Sequence, residues 1–116
     1  MKVVKISDIR PEEATSKLFE GKVTRQGFVN EKMTDLLRCG VVNFSPGAKN
    51  IFHTHAGDQI LYVTEGKGIV ATETEEFIVE PGTLVFIPGG ERHWHGATAQ
   101  DSFSHLMMVT SGETKY

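Results

Sequence analysis

Twelve glycines and four prolines divide these 116 residues into runs too short for anything but β-strands. The corners carry turn chemistry: Ser45-Pro46-Gly47, Glu65-Gly66-Lys67, Glu80-Pro81-Gly82 and Pro88-Gly89-Gly90. Between them lie runs of Val, Ile, Phe, Leu and Tyr, which predict strands over 24–29, 36–44, 59–64, 68–72, 77–80, 83–87, 92–96 and 103–110. Only residues 11–18, opening on Pro11 and two glutamates, suit a helix, and a short one. So many short strands in one chain imply an all-β fold, a closed barrel or jelly roll with at most a short N-terminal helix.

A chain of this length holds one core, so residues 1–116 are expected to form a single domain. Composition agrees with an ordered domain, at 39% hydrophobic and 23% charged residues. A net charge of -3 provides no general field for nucleic acid or an anionic membrane, so neither is an expected partner. Apolar runs such as 60–63 and 84–87 fall far short of the roughly 20 residues that cross a bilayer. The first residues are followed by Asp8, Arg10, Glu12 and Glu13, unlike a secretory leader. The lone Cys39 has no internal disulfide partner and reads as a small thiol in a reducing compartment, so a cytoplasmic location is expected.

All five histidines fall in two clusters, His53 and His55, then His93, His95 and His105. Side chains alternate along a strand, so His53 and His55 share one face, as do His93 and His95 with Trp94 opposite. The run that begins at Gln59 has one face made of Gln59, Leu61 and Val63. An amide at the end of that apolar face needs a partner, because an unpaired buried amide costs about 1–3 kcal/mol. A metal ion would be one.

Two spaced motifs then resemble those of the cupin superfamily. In residues 47–66, Gly47, His53, His55 and Gly66 match the family's first motif, with Gln59 where the family usually has Glu. In residues 82–97, Gly82, Pro88, Gly90 and His93 match its second, with Ala97 in place of the final Asn. The resemblance implies a cupin β-barrel in which His53, His55, Gln59 and His93 bind one divalent metal. Imidazole accepts Zn, Ni, Mn, Fe or Cu, so the ion's identity stays open. A similar Gln59 and the run His93-Trp94-His95-Gly96-Ala97 look like small cupins found alone or fused to carboxymuconolactone-decarboxylase-like domains. Cupins of this size usually pair, and residues 1–28 are expected to contribute to a homodimer through an apolar edge strand at Val3-Val4-Lys5-Ile6.

Competing readings accompany these. The three histidines could be structurally satisfied in a cupin without metal, and Gln59 could be hydrogen-bonded to backbone. Asp58 reads as a turn residue pointing away from Gln59's face. Trp94, Phe44, Phe86 and Met107 read as packing, and Arg38 and Arg92 as surface cations able to bind a carboxylate. With no anionic ligand the ion would keep its full charge, which points to Lewis-acid chemistry on a small oxygenated acid or sugar acid: isomerisation, decarboxylation or lyase activity. His95 and His105 are the candidate catalytic groups for moving the proton. A metal-dependent dioxygenase and a non-catalytic small-ligand binder are the alternatives.

Overall fold

All eight expected strands form in the computed structural model, which describes residues 1–116. The larger sheet runs in the order β1 (Glu12–Glu13), β3 (Val23–Val29), β4 (Leu37–Phe44), β12 (Phe103–Thr110), β7 (Gln59–Gly66) and β10 (Leu84–Ile87). The smaller runs β2 (Phe19–Glu20), β5 (Lys49–Asn50), β11 (His93–Ala97), β8 (Gly68–Thr72) and β9 (Glu76–Val79). A third, two-stranded sheet joins β6 (Thr54–His55) to β13 (Thr114–Lys115).

The inner faces of the two large sheets meet in one apolar core. Phe44, Leu61, Val63 and Phe103 come from the larger sheet, and Val70, Val79 and Ala97 from the smaller. Strand β7 shows how alternation builds it, with Gln59, Leu61 and Val63 buried while Ile60 and Tyr62 face outward. Corner chemistry also behaves as expected: Gly66 takes a φ of 76° and lies so close to the Ser102 carbonyl that no side chain fits there. No helix is long and apolar enough to cross a membrane.

Three local expectations are corrected. Residues 11–18 are not helical: Glu12–Glu13 instead pairs with the edge of β3, and the one helical piece is a 3-10 turn at Ile6–Asp8. Eight residues cannot offset the cost of helix nucleation when an open strand edge offers ready hydrogen bonds. Residues Met1 to Lys5 form no edge strand, having no strand beside them; Gln26 Nε2 instead donates to the carbonyls of Ile6 and Ile9 and pins the segment that follows. Phe86 does not pack in the core, being 63% exposed, because β10 turns Val85 and Ile87 inward.

Candidate metal centre

His53, His55 and His93 converge from different stretches of chain, their ligand nitrogens all within 4.8 Å of one another. His53 and His93 face each other across an isolated bridge in which each backbone amide donates to the other's carbonyl at 3.0 Å. His55 sits on β6, zipped to β13. The tautomers of the first two are fixed by backbone. Nδ1–H of His53 donates to the Ile51 carbonyl (2.7 Å) and Nδ1–H of His93 to the Glu91 carbonyl (2.8 Å). A carbonyl only accepts, so each Nε2 is left as a bare lone pair, buried and without a partner. His55 Nδ1 is hydrogen-bonded to the Thr114 hydroxyl at 2.9 Å, which orients the third ring.

Gln59 opens β7 on the inner face and is 4% exposed, and its Oε1 makes no hydrogen bond. The backbone-satisfied alternative for that oxygen is therefore not met. Buried lone pairs on Nε2 of His53, Nε2 of His93 and Oε1 of Gln59 are the donor set a divalent cation takes, so the residues present fit the group. Asp58 lies apart from them, its carboxylate accepting the Gly89 amide at 2.9 Å as a turn residue does.

Behind the cradle lies a second polar layer. His95 and His105 are buried, with His95 Nδ1 and His105 Nε2 3.1 Å apart and sharing one proton between them. Asn50, also buried, clamps His95: its Oδ1 accepts the His95 amide at 2.8 Å, and its Nδ2 rests 3.2 and 3.3 Å from the two ring nitrogens. Sequence reasoning missed Asn50 and Thr114. Each sits on a two-residue strand with no periodicity to mark its facing, and nothing local distinguishes it from a surface residue.

Burial is the main electrostatic influence on these rings. It pushes His53 down to about 4, against the opposing hydrogen bond to Ile51 and aided by His93 and His55. His55 is held at about 4 by burial and the adjacent His93, and His93 is lowered by burial despite Glu91. Burial takes His95 well below the usual imidazole range, with His105 adding to it, and holds His105 at about 4. All five are thus neutral at pH 7, the form in which imidazole binds metal.

His53, His55, Gln59, His95 and His105 line a cavity of about 350 Å³ that opens past the turn between β3 and β4. Arg38 lines it too, but its Nη1 donates to the carbonyls of Thr34 and Leu37. Arg92 is on the surface beside Glu73 (3.4 Å), outside the cavity. Trp94 turns away from the histidines, under the Lys49 ammonium at 5.0 Å.

Comparison with known proteins fits this geometry. The chain is 43% identical over 68 residues to an (R)-mandelonitrile lyase of Granulicella tundricola, covering 56% of this chain and 50% of that protein. It is 31% identical over 65 residues to an acireductone dioxygenase of Parasynechococcus marenigrum, covering 53% of this chain and 35% of that one. The chain therefore spans half or less of the length of these curated relatives. A cupin-like protein of Thermotoga maritima superposes with a TM-score of 0.87 at 32% identity, over 92% of this chain and 84% of that one. A polyketide cyclase of Streptomyces resistomycificus also reaches 0.87, at 21% identity over 99% of this chain and 84% of that one, a likeness of fold alone. The cupin domain model matches residues 40–110, a span that holds all five histidines and the whole of β7 and β12, and the chain belongs to the cupin family.

Proposed function

We propose that this cupin is a metal-dependent enzyme of lyase type acting on a small oxygen-bearing molecule. The observation that carries it is the set of buried lone pairs without partners on His53, His93 and Gln59, of which His53 and Gln59 line a cavity large enough for a small ligand. A divalent ion bound by these groups and His55 supplies a Lewis-acidic charge that stabilises negative charge developing on a substrate oxygen. The chain's own residues do the rest. His53 and His93 present Nε2 because Ile51 and Glu91 hold their Nδ1 protons, and Gln59 adds an oxygen without adding charge. His95 and His105, neutral and hydrogen-bonded to each other, form a two-ring path along which a proton moves into or out of the cavity. Asn50 holds His95 in the orientation this needs. The likeness to a mandelonitrile lyase supports bond cleavage beside an oxygen function.

The second reading is a metal-dependent dioxygenase, supported by likeness to acireductone dioxygenases. Gln59 weighs against it, since oxygen-activating iron sites commonly include one carboxylate. Elemental analysis of protein purified without a chelating tag is expected to give one divalent ion per chain, lost in His53→Ala with His55→Ala. Full occupancy in that double variant overturns the ligand set. Oxygen consumption coupled to turnover selects the dioxygenase, and a bound ligand without turnover selects a binding module.

A further inference from the structure

We infer that the open seam between β9 and β10 is a second ligand site, one that takes a small organic ammonium ion. It lies outside the cavity lined by His53, His55 and Gln59, and it stands whether or not a metal binds there.

Strand order creates the seam. Strand β9 ends the smaller sheet and β10 the larger, and no backbone hydrogen bond joins them, so the two sheets part along this line. Side chains alternate along both strands. On β9 the buried Val79 marks the inward face, and Phe77, two residues earlier, shares it opposite Val70 of β8. On β10, Val85 and Ile87 turn inward from the other side. These two walls enclose a cavity of about 320 Å³, enough for one small molecule. His93 lines this cavity and not the one that holds His53, so the two spaces meet different sides of that residue.

Phe77 is the residue that the core leaves unfinished. Its neighbours across the seam, Val70 and Ile87, are buried, yet Phe77 is 52% exposed. An inward-facing ring without a cover offers its π face to whatever fills the seam.

Charge selects the occupant. The hairpin between β8 and β9 carries Glu73, Glu75 and Glu76, and Glu91 stands in the turn before β11. Glu75 and Glu91 both line the cavity, and no Lys or Arg does. Neither carboxylate belongs to an ion pair, because the nearby Arg92 is taken by Glu73 at 3.4 Å and lies over the Phe52 ring at 5.1 Å. Backbone bonds hold both residues in place. The Glu75 amide donates to the Thr72 hydroxyl at 3.1 Å, and the Glu91 amide to the Pro88 carbonyl at 3.1 Å. Two unpaired carboxylates beside an uncovered aromatic ring complement a cation with an apolar body, the charge toward the acids and the body against Phe77. A bare metal ion would leave the apolar walls unfilled, and an anion would be repelled.

The test follows amide resonances of the full chain by NMR at constant ionic strength, with benzylammonium, benzyl alcohol, benzoate and calcium as probes. Benzylammonium is expected to move the Phe77 and Glu91 resonances and to bind there about tenfold more tightly than benzyl alcohol, with benzoate and calcium leaving them in place. Glu75→Gln with Glu91→Gln is expected to weaken benzylammonium by about tenfold, and Phe77→Thr by about fivefold, the rest of the spectrum being unchanged. Shifts that are absent, that survive the double variant, or that fall on Gln59 and His105 instead overturn the site. Equal binding of benzyl alcohol, or any shift with benzoate, overturns the requirement for positive charge, and calcium moving the same resonances overturns the organic body. Unchanged binding in Phe77→Thr overturns the aromatic wall. If that variant does not fold, Phe77→Leu keeps the apolar bulk without the π face, with a weakening of about threefold expected and no change overturning the wall.

Discussion

Exchanging the Gln59 amide for a carboxylate keeps the side chain's shape and adds one negative charge beside three neutral imidazoles. Gln59→Glu is therefore expected to tighten divalent binding by about tenfold or more, measured by chelator competition. Turnover by a Lewis-acid route is expected to slow, because the added charge offsets part of the field on the substrate oxygen. Unchanged affinity would leave the three histidines as the whole ligand set. Proton binding makes a separate prediction for metal-free protein. Burial holds His105 at about 4 against 6.5 in an open chain, so between those values the unfolded state binds more protons. Stability is then full above about 6.5 and declines as the pH falls toward 4, by about 3 kcal/mol from this group. His53 and His55, also held at about 4, act in the same direction. Urea midpoints at pH 7.5 and 5.0 check it, and equal midpoints refute it.

Long strands were legible in the sequence because they alternate and end at turn residues, as β8 at Gly68–Thr72 and β12 at Phe103–Thr110 do at their expected bounds. The histidines were legible for the same reason: spacing of two along a strand places His93 and His95 together on the inner face. What stayed hidden sits on strands of two residues, where no period exists. Asn50 on β5 and Thr114 on β13 owe their roles to partners 45 and 59 residues away in the chain, a relation no local pattern encodes. Gly96 was hidden too, reading as one more residue of β11. A Cβ there would stand 2.3 Å from Lys49 Cβ and 2.6 Å from the Ala48 carbonyl oxygen. Gly96→Ala must push β5 away from β11, and a loss of about 1–3 kcal/mol is expected in thermal or urea unfolding. An unchanged midpoint would mean that β5 yields freely.

Viewed whole, the larger sheet leaves apolar side chains bare on its outer surface. Gln26 fastens the segment of Ile6 and Ile9 near β3, whereas Ile60, Tyr62, Leu84 and Phe86 stand exposed on β7 and β10, with Leu84 opposite Tyr62 and Phe86 opposite Ile60. We propose that a second copy of this chain covers that face, since a neutral apolar patch complements itself across a twofold axis. Light scattering is expected to give twice 12.8 kDa, reverting toward a single chain in Phe86→Lys, and a monomeric wild type refutes it. The sheet order has a further effect, on how fast the molecule is made. Strands β4 and β7 never touch; β12 lies between them and pairs with both. Until residues 103–110 insert, both neighbours show open edges. His105 rides in on the same strand, so closing the sheet and setting His105 against His95 are one event. Such distant pairings fold slowly, in milliseconds to seconds. During that interval the chain is vulnerable to aggregation and its buried histidine pair is unmade, and both conditions end together.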